Sequence, residues 1–183
     1  MPDFDEQILS STIAFQGRLL TLRIDSVRLP DGREATREVV QHPGAVAMVP
    51  RLGDDVILVR QWRQPLAREL LEIPAGTLIP GEAHEACADR ELREEIGYAP
   101  GRLTKLAAVA LAPGYSTEIL QIYLAEDLTP DRASQEADEL VLAERMPMGE
   151  AVRRACLGDF EDAKTVVGIL LAAARDSLLC PGE

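Results

Sequence analysis

Apolar and polar residues alternate along Thr21–Leu29 and again along Glu34–Gln41, on either side of Pro30-Asp31-Gly32. Alternation sets one face of a strand on a core, and Pro-Asp-Gly supplies the backbone angles of a turn, so this stretch predicts an antiparallel hairpin. Gly44–Pro50 (GAVAMVP) and Val56–Gln61 (VILVRQ) flank Gly53-Asp54-Asp55 and predict a second hairpin. Glu69–Pro74 reads as a short strand that stops at Pro74-Ala75-Gly76. His84–Ile96 is the clearest helix, with Leu92 and Ile96 on its buried stripe and Gly97 closing it. Leu103–Ala112 and Ile119–Ala125 read as strands around a Pro113-Gly114 turn, and Leu140–Arg145 as another strand. Pro147 suits the start of a helix that runs to Gly158. The last helix is predicted over Asp162–Leu179, with Val166, Ile169, Leu170 and Ala173 on one face.

Strands followed by helices, without a repeat or a dividing linker, give an α+β class in which helices pack on an antiparallel or mixed sheet. The 183 residues suit one domain of ordinary size, about 150 residues. Within it, an N-terminal strand and hairpin region (residues 1–41) precedes the main body (42–183). The net charge of −12 argues against nucleic acid and anionic membranes as partners, since both call for a basic surface. A phosphorylated small molecule remains compatible, provided local arginines or bound cations supply positive charge. Leu106–Ala112 and Val166–Ala174 are too short to span a bilayer, and MPDFDEQ lacks the profile of a signal peptide. The three cysteines, Cys87, Cys156 and Cys180, form no C-x-x-C pair. A cytoplasmic protein is expected.

Chemistry concentrates in Gly76–Tyr98, GTLIPGEAHEACADRELREEIGY. Helical spacing brings Glu91, Glu94 and Glu95 together, at a cost of roughly 0.2–0.5 kcal/mol per like-charged pair. Only Glu94 lies where Arg90 is expected to relieve it. A charge run is ordinarily a solvated face. Here the carboxylates are grouped, no lysine is interspersed, and a loop bounded by proline and glycine precedes them. Clustered oxygens of this kind suit a hard divalent cation such as Mg²⁺.

Gly76, Glu82, Arg90-Glu91-Leu92, Glu94-Glu95 and Gly97-Tyr98, taken with their spacing, resemble a complete Nudix box. HPGAVAMVP, RQWRQPLARELLEIPAG, APGYSTE and EDAKTVVGILLA extend the resemblance to the ADP-ribose pyrophosphatase branch of the Nudix hydrolases. The resemblance implies a Nudix-type α/β/α sandwich of mixed sheet with flanking helices, plus the N-terminal antiparallel hairpin region. It also implies Mg²⁺-dependent hydrolysis of the pyrophosphate bond of ADP-ribose to AMP and ribose 5-phosphate, with Mn²⁺ as a substitute. Alternatives are hydrolysis of another nucleoside diphosphate sugar or dinucleotide, or a non-catalytic nucleotide-sensing module. The intact acidic set argues against the last of these.

By the same resemblance, Glu91 and Glu95 are the principal metal ligands, Glu95 serving catalysis directly. Glu94 stands close by, and the backbone carbonyl of Ala75 completes the set. Glu82 and Arg90 form an internal ion pair with a structural role. Arg63 contacts substrate phosphates, with Arg60 nearby, and Pro113 marks ADP-ribose hydrolysis, although an ordinary Pro-Gly turn explains it equally well. Arg37 and Glu38 contact the adenosine end, from the partner subunit of a homodimer. A general base comes from the acidic loop Thr129–Glu139, where Glu136 fits first and Glu139 second. His42 and His84 read as polar turn residues, Cys87 as packing and Trp62 as a core aromatic.

Overall fold

The computed structural model describes residues 4–131, 133 and 140–176. They form two compact units, one comprising residues up to Gly44 with Ala110–Ile119, the other Ala45–Val109 with the residues from Leu120 onward.

In the first unit, β1 (Gln7–Gln16), β2 (Thr21–Arg28) and β3 (Glu34–Gln41) form an antiparallel sheet with β2 in the middle. The predicted β2–β3 hairpin is present, paired from Arg28↔Glu34 to Thr21↔Gln41. Its turn closes with Gly32 donating to the Leu29 carbonyl at 2.9 Å, and Gly32 takes φ +86°, an angle that penalises any side chain. Strand β1 has no counterpart in the predicted elements. It is exposed along its whole length, and its register with β2 is interrupted between Ile8 and Ser10 and between Ile13 and Phe15, so no clean alternation marks it. Ala110–Ile119 joins this unit because Val40 donates to the Tyr115 carbonyl (2.7 Å) and Thr117 donates to the Val40 carbonyl (2.9 Å).

The second unit is built on a mixed sheet. Its central strand, β4 (Ala45–Leu52), runs parallel to β10 (Ile119–Glu126) and antiparallel to β5 (Asp55–Arg63) and to the short β7 (Ala75–Thr77). Beyond β5 lie β12 (Val141–Pro147) and β6 (Arg68–Glu72), and beyond β10 lies β9 (Arg102–Ala110). A separate two-stranded ribbon joins β8 (Tyr98–Ala99) to β11 (Thr129–Pro130). The apolar run of β4 is buried on both faces, the arrangement that unbroken hydrophobic strands adopt. Ala45, Ala47 and Val49 pack with α2 (Met148–Leu157) and α3 (Ala163–Arg175). Val46 and Met48 pack with α1 (His84–Glu91) and the turn that follows it. This is the expected α/β/α sandwich. Among the described residues, no helix is long and apolar enough to cross a membrane.

Three local departures have physical causes. The second predicted hairpin survives only at its tip, where Arg51 pairs with Val56 and Leu52 with Asp55. Past that point each strand finds other partners. Strand β9 stops at Ala110 rather than Ala112, whose carbonyl accepts from Tyr115 (3.1 Å) and Ser116 (2.8 Å) in the Pro113-Gly114 turn. The predicted helix over His84–Ile96 is α-helical only to Glu91, and Leu92–Ile96 forms a π-turn closed by the Gly97 amide on the Leu92 carbonyl.

Helix α3 lies close to the sheet at Gly168. A Cβ there would stand 2.8 Å from Ile73 Cδ1 and 3.1 Å from Val49 Cγ2. Gly168→Leu is therefore expected to destabilise the fold by about 1–3 kcal/mol through overpacking. Urea unfolding would read this as a lower midpoint at an unchanged slope.

Candidate active site

The site grows from the chain between β6 and α1. The Pro74 carbonyl accepts from the Met48 amide at 2.9 Å, and the Ala75 amide donates to Glu95 Oε2 at 3.1 Å. After β7 the chain turns through Pro80-Gly81, with Glu82 donating to the Ile79 carbonyl at 2.9 Å and Gly81 at φ +84°. Proline followed by a glycine at positive φ is the sequence a type II turn requires. The Glu82 carboxylate then caps the same turn by accepting from the Ile79 amide at 3.0 Å.

Helix α1 and its π-turn present the acids. Glu91 and Glu95 are both buried, at 8% and 7% exposure, whereas Glu94 is more open. Widening the helix by a residue at this point is a feature that recurs at functional sites. Arg90 sits among the carboxylates. Its Nε and Nη2 donate to Glu82 at 2.9 and 3.1 Å, and its Nη1 donates to Glu91 at 2.6 Å and Glu94 at 3.1 Å. The expectation that Arg90 relieves only Glu94 is thus corrected: one guanidinium serves three acids. Arg90 holds the Glu82 carboxyl down at about 2, against the opposing effect of burial and with help from the Ile79 amide.

Gly76 is explained by the same contacts. A Cβ at that position would lie 1.9 Å from Cδ and Oε1 of Glu91. The requirement for glycine is close approach, since the Glu91 carboxyl packs directly on the strand. Glu91, Glu94, Glu95 and the Ala75 carbonyl supply only oxygen, the donor chemistry of hard divalent cations. As the side chains stand, no three His, Cys, Asp or Glu residues among those described are grouped to hold a metal ion. A cation held there would compete with Arg90 Nη1 for Glu91 Oε1 and Glu94 Oε2.

Other expected site residues fall in different places. Arg63, at the end of β5, donates through Nε and Nη2 to Glu72 at 2.8 and 2.5 Å. Arg60 is bound instead to Glu144 on β12, at 2.5 and 3.1 Å. Residues three apart on a strand face opposite ways, so the two arginines do not act together. Trp62 is 55% exposed and donates to Gln64, which corrects its reading as a core aromatic. Cys87 is buried, and burial pushes its thiol up to about 12. His42 accepts from the Gly44 amide (3.1 Å), and His84 opens α1.

Arg37 and Glu38 lie on β3 of the first unit, where Arg37 forms a two-pronged pair with Glu6 at 2.9 and 2.5 Å. Pro113 also belongs to that unit. Glu136 and Glu139 lie outside the described residues. The start of their loop is fastened to the π-turn: Asp131 donates to the Gly97 carbonyl (2.9 Å), Ala133 to the Arg93 carbonyl (3.2 Å), and Arg93 pairs with Asp131.

Sequence reasoning missed Glu72 and Lys164. Glu72 is 1% exposed, and Lys164 Nζ lies 2.5 Å from its Oε2. Glu72 falls two residues after Leu70, in step with the buried face of β6, and that periodicity is the signal that points to it.

Gly76→Ala is expected to displace the Glu91 side chain, because the added Cβ would take the place of its carboxyl. Turnover should fall by about 10²-fold or more, a size expected for disturbing charge stabilisation at a reacting centre. Thermal unfolding should move little. A variant with normal turnover would show that the Glu91 position is immaterial.

A model of the NUDIX domain matches residues 41–166, and a model of the nucleoside diphosphate sugar hydrolase N-terminal domain matches residues 6–40. The chain is 35% identical to an ADP-ribose pyrophosphatase of Bacillus subtilis, over 97% of this chain and 98% of that one. It is 34% identical to a methanol dehydrogenase activator of Bacillus methanolicus, over 96% of each. A crystal structure of an ADP compounds hydrolase superposes with a TM-score of 0.85 at 26% identity, covering 100% of this chain and 99% of that one. With more than half its length matched and its relatives aligned nearly end to end, the chain belongs to the Nudix hydrolases, which act on nucleoside diphosphate substrates using divalent cations.

Proposed function

We propose that this enzyme cleaves ADP-ribose to AMP and ribose 5-phosphate, with Mg²⁺ as its cation and Mn²⁺ able to substitute. The observation that carries the chemistry is the packing of the Glu91 carboxyl against Gly76, with Glu95 bound to the adjacent Ala75 amide. Likeness to an ADP-ribose pyrophosphatase over nearly the whole chain favours this substrate. A second reading, hydrolysis of another nucleoside diphosphate sugar, draws support from the N-terminal model, whose description covers such substrates in general.

In the proposed reaction, water attacks one phosphorus of the diphosphate and the bond to the bridging oxygen breaks. Glu91, Glu95 and the Ala75 carbonyl hold the cation, with Glu94 beside them. A divalent cation held there would supply positive charge against the diphosphate and would acidify a bound water. Arg63 contacts the phosphates, Pro113 marks ADP-ribose as the substrate, and Arg37 and Glu38 receive adenosine from across the dimer. Glu136 takes the proton from water, with Glu139 as the alternative one register away. The anchored start of their loop, at Asp131 and Ala133, supports this assignment. We place the activity in the cytoplasm, a reducing setting in which the free thiols of Cys87 and Cys156 persist.

The enzyme is proposed to act as a homodimer. Strand β1 is a sheet edge that leaves Ile8, Ile13 and Phe15 more than half exposed, and such edges are ordinarily covered.

Products of purified protein with Mg²⁺ and a panel of ADP-ribose, NAD, nucleotide sugars and diadenosine polyphosphates test the substrate. Cleavage of ADP-ribose above the rest is expected, and chelator-resistant activity would overturn the metal assignment. Glu95→Gln should lower turnover by about 10²-fold while keeping the fold, since its amide oxygen can still accept from Ala75. Glu136→Gln should lower the maximal rate with metal affinity intact, whereas Glu91→Gln should change both. Wild-type rates for Glu136→Gln and Glu139→Gln across the pH range would remove the base from this loop.

Light scattering should find a particle of twice the 20.0 kDa chain mass. Phe15→Glu should shift it toward the single chain. A fully active 20.0 kDa particle would overturn the dimer.

A further inference from the structure

Glu72 is a carboxylate buried at the end of β6 with a cation on each side. Arg63 grips it through Nε and Nη2, and Lys164, on the first turn of α3, reaches Oε2 at 2.5 Å. Lys164 also lies 2.9 Å from Asp162, the cap of that helix, and its side chain is only 9% exposed. Burial pushes the Glu72 carboxyl up, but Arg63 and Lys164 outweigh it and leave it below its usual range.

Stability alone does not account for this cluster. Buried ion pairs contribute little net, and well-packed apolar replacements are often neutral or better. A lysine beside the positive end of a helix is also unfavourably placed. What the cluster does achieve is orientation. A guanidinium held at two nitrogens has its plane fixed, and Nη1 is left for a third partner. Lys164 binds the same Glu72 oxygen that Arg63 Nη2 uses, so the carboxylate is pinned from two elements. The chain ties this cluster to the carboxylates: three residues after Glu72, the Ala75 amide donates to Glu95 Oε2 at 3.1 Å.

We propose that Glu72 is a positioning residue that presents Arg63 to a diphosphate oxygen, and that Lys164, bound to the same carboxylate, holds Glu72 in the orientation that does so. The proposal rests on the reading that Arg63 meets the phosphates of a nucleoside diphosphate.

A double-mutant cycle tests it. Wild type, Arg63→Ala, Glu72→Gln, Lys164→Met, Lys164→Arg and the Glu72→Gln/Arg63→Ala and Lys164→Met/Arg63→Ala pairs would be compared. The readouts are kcat and KM for ADP-ribose, and calorimetric binding of its α,β-methylene analogue. Glu72→Gln and Lys164→Met should each weaken analogue binding and kcat/KM by about tenfold or more, the size of a lost charged hydrogen bond. On the Arg63→Ala background both losses should vanish to within about twofold, and Lys164→Arg should restore most of the binding. Losses that persist undiminished without Arg63 would make the cluster structural and overturn the proposal, as would single variants that bind normally. If Glu72→Gln does not fold, the Lys164→Met cycle decides alone. A wild type that neither cleaves ADP-ribose nor binds the analogue would overturn the substrate reading and this proposal together. An active wild type with an additive cycle would overturn the proposal only.

Discussion

One guanidinium holds the acidic box together. Repulsion among Glu91, Glu94 and Glu95 costs only tenths of a kcal/mol per pair in solvent, but taking charges out of water costs several kcal/mol each. Arg90 offsets that cost for Glu91, which is nearly buried, and does so from an anchored position. Two of its nitrogens are tied to Glu82, so the Nη1 contacts with Glu91 and Glu94 can open without moving the arginine. The Glu82–Arg90 pair, assigned a structural role from the box alone, thereby also anchors the guanidinium with which the proposed cation would compete. Because Arg90 holds the Glu82 carboxyl at about 2, the stabilisation from this pair is complete above the carboxyl's unfolded value, declines as pH falls below it, and is gone once pH has fallen through about 2.

What was legible in the sequence was local. Pro30-Asp31-Gly32 announced a hairpin, and Gly97 and Gly158 closed helical segments at φ +76° and +78°. The apolar run of β4 announced a strand. Strand β1 was not legible, because Ser10-Ser11-Thr12 and an irregular register erase the period that would reveal it. The π-turn was hidden too, since Leu92 and Ile96 satisfy α-helical spacing and the extra residue leaves no mark in the pattern. Arg60 and Arg63 were separable in principle from the two-residue period of a strand, but sequence proximity masked it. Glu72 and Lys164 met across 92 positions of chain, a distance no motif spans.

The segment from Glu72 to Gly76 joins these features into one device. Glu72 is held by Arg63 of β5 and Lys164 of α3, and the Ile73 amide donates to Thr165 Oγ1 at 2.9 Å. The Pro74 carbonyl is bound by Met48 of β4, the Ala75 amide by Glu95 of the π-turn, and Gly76 is packed by Glu91 of α1. Five consecutive residues thus answer to partners on five elements.

Such a segment has little freedom left, and this bears on function. Fixing a residue's backbone costs roughly 1–2 kcal/mol of entropy, and here that cost falls on folding rather than on binding. In the proposed reaction the charges that meet a diphosphate would then be in place beforehand, and preorganisation of this kind makes fixed dipoles and ions effective at a reacting centre. The segment between the two arginine clusters is therefore the ruler of the proposed site. It spaces the carboxylates on one side from Arg63 on the other, and substitutions in either cluster act through that spacing as well as through charge.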